Sequence, residues 1–117
     1  MLFRSSLRAG RIVDIVEEPT LADALAGGIN PNKYTFELIQ KTVDETVLVS
    51  EQEIAAAMAF ALERHHLVVE GGGAVGIAAL RAGKVQHLGE RVAVVISGAN
   101  VDMPLLLRVV QDHLDCR

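Results

Sequence analysis

Residues 67–76, Leu-Val-Val-Glu-Gly-Gly-Gly-Ala-Val-Gly, restrict the possible folds of this chain more than any other stretch. An apolar run leads into one carboxylate, Glu70, then into three consecutive glycines and an alanine-rich helical pattern. Glycines let the backbone approach a ligand closely, although they cost chain entropy that a plain connector avoids. A helix that begins at Ala74 would direct its free N–H groups and positive dipole end at this loop. The stretch therefore predicts a chain that leaves packed structure, crosses a small-molecule site and enters a helix.

A second stretch, residues 92–100, has the same order of features. The run Val-Ala-Val-Val-Ile is typical of a parallel strand that is buried on both faces. It ends in the hydroxyl of Ser97, two small residues and the amide of Asn100. The carboxyl ends of strands carry the ligand contacts in open α/β sheets. We therefore expect residues 67–76 and 92–100 to form one site.

The rest of the chain predicts helices that alternate with strands. Ser50 and Glu53 have the spacing of a capping box, and Gly10 and Gly83 fit helix stops. Helices are predicted at residues 1–9, 20–26 (capped by Thr20), 36–43 (capped by Thr35), 51–65, 74–82 and 103–114 (capped by Asp102). The buried stripe of the longest helix is predicted to be Ile54, Ala57, Met58, Ala61 and Leu62.

Strands are predicted at residues 11–16, 46–49 and 92–96. Half of the residues are hydrophobic but only 3% are aromatic, which suits helices packed on a parallel sheet. The sequence therefore predicts one α/β domain over residues 1–117, a partial three-layer parallel sheet with helices on both faces.

Charge and composition exclude several classes of protein. A net charge of −4 without a basic cluster argues against a nucleic-acid partner. No apolar run approaches the roughly 18 residues of a membrane span, and the start Met1-Leu-Phe-Arg lacks the long apolar run of a signal peptide. The single cysteine, Cys116, cannot form an internal disulfide. A cytoplasmic location is expected.

The glycine stretch allows other interpretations. Residues 71–76 match the Gly-x-Gly-x-x-Gly dinucleotide fingerprint, but the next predicted strand ends in Ser97 instead of an acidic residue. The glycines could also serve tight helix packing without any ligand, and the Ser97 hydroxyl could satisfy its own turn. Glu70 could be exposed or held by a polar partner. The pair at residues 65–66, His-His, lacks a ligand four residues away, so a solvated helix end is favoured over a metal site.

Residues 70–76 and 92–102 together resemble the C-terminal part of the threonine dehydratase and serine racemase family, fold-type II enzymes that use pyridoxal phosphate. The segments Thr20-Leu-Ala-Asp-Ala-Leu-Ala-Gly-Gly-Ile, Tyr34-Thr-Phe and Val43-Asp-Glu agree in order and spacing, so the resemblance covers nearly the whole chain. Within this family, the sequences Ala-Asp-Ala-Leu and Tyr-Thr-Phe resemble the ectoine-utilisation dehydratase branch.

The resemblance implies a pyridoxal 5'-phosphate site. Ser97 matches the serine that hydrogen-bonds the pyridine nitrogen, and Glu70 matches the acidic residue beside the ring. Gly71, Gly72 and Gly73 match the small residues that flank the ring, and Asn100 and Asp102 match the turn that follows. A neutral hydroxyl at the ring nitrogen makes the ring a weaker electron sink, which favours β-elimination over transamination. Ala99 departs from the glycine that the family usually has there.

The implied reaction removes water from a small hydroxy amino acid and yields a keto acid and ammonia. The resemblance places the Schiff-base lysine, the phosphate-binding loop and the metal-binding segment before residue 1. None of Lys33, Lys41 and Lys84 lies in an apolar pattern that would lower its pKa. We therefore expect a C-terminal part of a catalytic domain that has no catalytic or metal-binding residue of its own and is inactive alone.

Two alternatives to this function stay open. The chain could be a non-catalytic, truncated homologue that pairs with a full-length subunit or with itself, since an incomplete sheet leaves open edges. It could also be a small nucleotide-binding domain that uses the glycine stretch.

Overall fold

The computed structural model describes residues 2–14, 16, 18–27 and 33–115, and every regular element in these ranges is helical. The chain divides into two compact units, Met1–Pro19 with Ala24–Thr46 and Thr20–Asp23 with Val47–Arg117. The elements are α1 (Leu2–Ala9), a 3₁₀ turn (Asp23–Leu25), α2 (Lys33–Thr42), α3 (Glu51–His65), α4 (Gly71–Arg81) and α5 (Met103–Asp115).

In the first unit, α1 ends as predicted at a glycine. Gly10 has φ +67°, and the N–H of Arg11 donates to the carbonyl of Ser6 over 3.2 Å. The Ser6 side chain is fully buried, and its Oγ accepts the N–H of Val13 at 3.1 Å. A buried hydroxyl thus satisfies the backbone that leaves the helix.

Helix α2 begins earlier than predicted. Thr35 lies inside the helix, so the prediction that it caps the helix is wrong. Phe36 is buried as expected of the apolar face, but Val43 lies beyond the helix end and is 43% exposed.

The core of the second unit is built on α3, which packs against α4 and α5. Alanines make the α3–α4 approach close, because Ala57, Ala61, Ala74 and Ala78 are each at most 1% exposed. The predicted stripe of α3 is confirmed, with Leu62 only partly buried. At its edge, the Arg81 guanidinium of α4 lies 4.0 Å from the ring centroid of Phe60 on α3.

The capping box of α3 is confirmed. Ser50 Oγ accepts the N–H of Glu53 at 3.2 Å, while Glu53 Oε2 accepts the N–H of Ser50 at 2.6 Å. The same Oε2 lies 2.7 Å from Lys84 Nζ, which follows α4 in the chain. The hydrogen bond from Lys84, and then that from the Ser50 backbone, lower the pKa of Glu53 below its ordinary value of 4.5.

This lowered pKa predicts a stability loss in acid. A carboxylate with a depressed folded-state pKa stabilises the fold fully above its unfolded pKa, and the contribution disappears as the pH falls through the folded pKa. We expect the difference in free energy of unfolding between wild type and Glu53→Gln to be constant above about pH 6 and to shrink below 4.5. Urea denaturation at a series of pH values measures it. Lys84→Gln, which removes the largest cause, should flatten the same curve; an unchanged curve would contradict this origin.

The three predicted strands do not form among the described residues. Residues 11–14, 46–49 and 92–96 have neither helix nor strand geometry, and residue 15 lies outside the description. Val95 is 82% exposed, so the expectation of a strand buried on both faces is wrong for residues 92–96. A strand exists only within a ladder of backbone hydrogen bonds. Among the described residues, the backbone of residues 92–96 makes no such bond.

The segment that follows residue 19 is also shorter than predicted. In place of a helix over 20–26 there is one 3₁₀ turn, Asp23–Leu25, and the Thr20 hydroxyl accepts the N–H of Ala22 at 3.1 Å. Gly27 has φ +128°, while Gly28 lies outside the described residues, as does Cys116. Within the described ranges, no helix combines the length and apolarity needed to cross a membrane.

Candidate functional site

The two stretches that the sequence assigned to one site lie against each other. The backbone N–H of Glu70 donates to the carbonyl of Gly98 over 3.1 Å. In return, the N–H of Asn100 donates to Glu70 Oε2 over 2.9 Å. Glu70 therefore contacts the turn after Ser97 through its backbone and through its side chain.

Glu70 is the residue immediately before α4, with φ −73° and ψ 164°, and its side chain makes no hydrogen bond to its own helix. It is half-buried. The polar partner that a partly buried carboxylate requires is the Asn100 N–H. Of the two interpretations of Glu70, exposed or paired, the structure favours the second.

The predicted glycine loop is instead the first turn of α4, so the prediction that this helix begins at Ala74 is wrong. Gly71, Gly72 and Gly73 are helical and buried. A Cβ at Gly71 would overlap the backbone carbonyl of Leu21, and one at Gly73 would lie 2.9 Å from the carbonyl oxygen of Gly98. Helical geometry survives three glycines because neighbouring backbones pack directly on it. Close packing, which the sequence left open, is thus a role of Gly71 and Gly73.

Ser97 and Asn100 are exposed at the other side of this contact. The turn after Ser97 is closed by a backbone bond from the N–H of Val101 to the carbonyl of Ala99, 3.0 Å long, in which Ser97 takes no part. Asp102 directly precedes α5, and its carbonyl accepts the N–H of Leu106 at 3.0 Å, as at a helix start. Ser97, which the sequence singled out, is therefore exposed and directly precedes the Gly98 carbonyl that accepts the Glu70 N–H.

Sequence reasoning missed two parts of this neighbourhood. The Leu21–Ala22 backbone lies against Gly71, and Val94 Cγ1 would lie 2.8 Å from a Cβ at Gly76. The glycines carried part of this signal, because Gly71 and Gly76 lie where the Leu21–Ala22 backbone and Val94 come close. Residues 20–22 predicted a helix start and carried part of the family resemblance, but they did not predict a contact with Gly71.

The lysines and histidines that the sequence considered have structural roles or lie exposed. Lys84 is paired with Glu53, and Lys41 is exposed on α2. His65 is the last residue of α3, with its ring edge-on to Phe60 at 5.1 Å, and His66 closes the helix with φ 56°. Within the part of the chain that the structure describes, no group of three or more His, Cys, Asp or Glu could hold a metal ion.

Comparison with known proteins gives consistent matches. The family model described as pyridoxal-phosphate dependent enzyme matches residues 1–98. An L-threonine ammonia-lyase of Thermotoga maritima is 46% identical over 110 residues, and a putative threonine dehydratase of Sinorhizobium fredii is 46% identical over 108. Maize serine racemase superposes with a TM-score of 0.79 at 27% identity.

These matches cover most of this chain but a minor part of each relative. They include 94% of this chain for the Thermotoga protein, 92% for the Sinorhizobium protein and 98% for the maize structure. The chain spans 27%, 32% and 36% of those proteins, respectively.

Proposed function

This chain belongs to the pyridoxal-phosphate dependent enzyme family, and from that premise we propose that it supplies one wall of the cofactor site in an ammonia-lyase. The observation that supports this most is the double hydrogen bond of Glu70 to the Gly98–Asn100 turn. That contact joins the residue before α4 to the turn that directly follows Ser97. In this proposal residues 1–117 are the C-terminal part of the catalytic domain.

The donor set fits pyridoxal phosphate. Ser97 would hold the pyridine nitrogen, Glu70 and Asn100 would lie beside the ring, and residues 71–73 would flank it. An exposed, neutral hydroxyl suits a pyridine nitrogen, because it can donate to that atom without leaving a proton on it. When bound, the cofactor supplies the electron sink for breaking bonds at the α-carbon of an amino acid.

Each residue of the wall has a limited task. The Ser97 hydroxyl would donate to the ring nitrogen without protonating it, and a ring held in this way would favour loss of a β-hydroxyl group from the substrate. Glu70 Oε2 accepts the Asn100 N–H and so orients the turn that follows Ser97. The backbones of Leu21 and Gly98 pack directly on Gly71 and Gly73, which leaves no room for side chains at these two positions.

The substrate class follows from the relatives. The names of these proteins refer to threonine and to serine, which are both small amino acids with a β-hydroxyl group. The proposed reaction of the whole protein is elimination of water followed by release of a keto acid and ammonia. Lys84 is held by Glu53, so we expect the chain alone to be inactive. The ectoine-utilisation branch and the cytoplasmic location stay predictions.

The decisive test is titration of the chain with pyridoxal phosphate, followed by amide NMR shifts and by borohydride trapping with mass analysis. We expect saturable shifts at Glu70, Ser97 and Asn100 and no stoichiometric lysine adduct. Ser97→Ala should weaken binding by roughly fivefold, the value of one net hydrogen bond, because its hydroxyl holds the ring nitrogen. Thr46→Ala, which deletes another exposed hydroxyl, should bind like wild type.

Other outcomes would contradict this function. A stoichiometric adduct on one lysine would show that this chain carries its own Schiff-base residue. If pyridoxal phosphate causes no amide shifts, the proposal that these residues form a wall of the cofactor site is wrong. Shifts with a dinucleotide alone would support the nucleotide-binding alternative.

A second candidate function is a non-catalytic pairing domain. It is favoured by the exposure of apolar side chains in residues 92–96, where Val92, Val95 and Ile96 are 49%, 82% and 42% exposed. The described backbone of these residues takes part in no ladder of hydrogen bonds. Such backbone can pair with a strand of another copy or of a full-length subunit. Analytical ultracentrifugation over a range of concentrations, with and without the cofactor, separates this candidate from the first.

A further inference from the structure

Glu51 makes two hydrogen bonds to a segment that precedes it by about 30 residues. Its Oε1 accepts the Thr20 hydroxyl at 2.7 Å, and its Oε2 accepts the Leu21 N–H at 2.7 Å. Both carboxylate oxygens therefore bind consecutive residues of one turn. Charged acceptors make stronger and better oriented hydrogen bonds than neutral ones.

The turn that Glu51 holds is itself fixed. The Thr20 hydroxyl also accepts the N–H of Ala22 at 3.1 Å, and Ala22 is 5% exposed in the core of the second unit. Thr20 thus links the carboxylate to the buried end of the turn. The carbonyl between these two anchors, that of Leu21, is the group that lies against Gly71.

The contact of Leu21 with Gly71 connects the turn that Glu51 binds to the proposed cofactor wall. Gly71 is the first residue of α4, and Glu70 directly precedes it. Glu70 then holds the turn through the Gly98 carbonyl and the Asn100 N–H. The first turn of α4 is therefore confined between two backbone segments, and each of them is bound by a carboxylate.

Capping of α3 does not account for these contacts. Glu53 already forms the capping box with Ser50, and a negative charge in the first turn needs no specific partner to favour the helix dipole. The two hydrogen bonds of the Glu51 carboxylate are made to the Thr20–Ala22 turn instead. They fix where Leu21 lies, and with it the space left for Gly71.

We propose that Glu51 is a positioning residue for the cofactor wall, which it sets through the Thr20–Ala22 turn and the start of α4. The proposal rests on the proposed function for its consequence in binding. Its structural content, coupling between Glu51 and residues 70–73, does not depend on any cofactor.

The test uses hydrogen exchange and amide NMR of the whole chain. In Glu51→Gln, exchange of the Leu21 amide should rise by about tenfold relative to the Ala61 amide, which reports global unfolding. The amide shifts of residues 71–73 should move as well. Thr20→Val should move the same glycine shifts, because it removes the other half of the carboxylate contact.

The matched control is Glu53→Gln, which removes a carboxylate from the same first turn. It should destabilise α3 and leave the shifts of Leu21 and residues 71–73 in place. If Glu51→Gln alters Leu21 alone, or if Glu53→Gln moves the glycines equally, Glu51 is only a local stabilising residue.

Pyridoxal phosphate titration separates this proposal from the proposed function. With a binding wild-type chain, Glu51→Gln should weaken binding more than Glu53→Gln does; equal effects would overturn the positioning role. A wild-type chain that does not bind contradicts the proposed function, while the exchange and shift data still decide the coupling.

Discussion

Replacing Gly71 by alanine is expected to destabilise the chain by about 2–3 kcal/mol, the range for forcing an atom into a packed interior. The new Cβ would overlap the carbonyl of Leu21. The position of this residue is fixed by the hydrogen bond that its backbone N–H donates to Glu51. In an exposed helix the same change stabilises by roughly 0.5–1 kcal/mol, because alanine has less entropy to lose. The sign of the effect therefore decides between a packed and an open first turn. Urea denaturation followed by circular dichroism measures it.

Alanine substitutions at two other glycines provide comparisons for the stability of Gly71→Ala. A Cβ at Gly89 meets nothing within 4 Å, so Gly89→Ala is expected to change stability by less than about 0.5 kcal/mol. At Gly76 the obstacle is Val94 Cγ1, a side-chain atom that can move, and Gly76→Ala should fall between the other two. A Gly71→Ala variant as stable as Gly89→Ala would show that α4 does not begin against Leu21.

The sequence predicted the helices whose ends carry local chemistry. Ser50 and Glu53 determine the start of α3 through bonds within one turn, and Gly10 and Gly83 end helices with φ of +67° and +63°. Such signals depend on neighbours in sequence and so can be read without a structure. The predicted strands depend on partner strands, and the described residues supply no ladder for residues 92–96.

The sequence predicted that residues 67–76 and 92–100 lie together, but it did not predict how they pack. Glu70 and the Gly98–Asn100 turn do meet, as the two similar stretches indicated. The glycines looked like a ligand loop because sequence shows flexibility and small size but not what fills the space beside them. Here Leu21 lies against Gly71, and this contact between residues 50 positions apart in sequence could not be read locally. Whether the cofactor contacts these residues stays a prediction.

Met58→Ala is expected to destabilise the chain by about 2–4 kcal/mol, because it removes a buried thioether chain and leaves a cavity. Met58 is 1% exposed and lies in the core between α3, α4 and α5. Its neighbours on α3 and α4 include alanines, which have no side-chain length with which to fill the gap. The midpoint of urea denaturation should fall accordingly.

Met103 provides the matched control for this change. It is 62% exposed at the start of α5, so Met103→Ala deletes the same atoms without opening a cavity and should shift stability by less than about 0.5 kcal/mol. Met58→Leu keeps the volume and should recover all but roughly 1 kcal/mol. Equal losses for the two alanine variants would contradict the packing of α3 on α4 and α5. Because the proposed cofactor wall includes the first turn of α4, the same result would also count against that proposal.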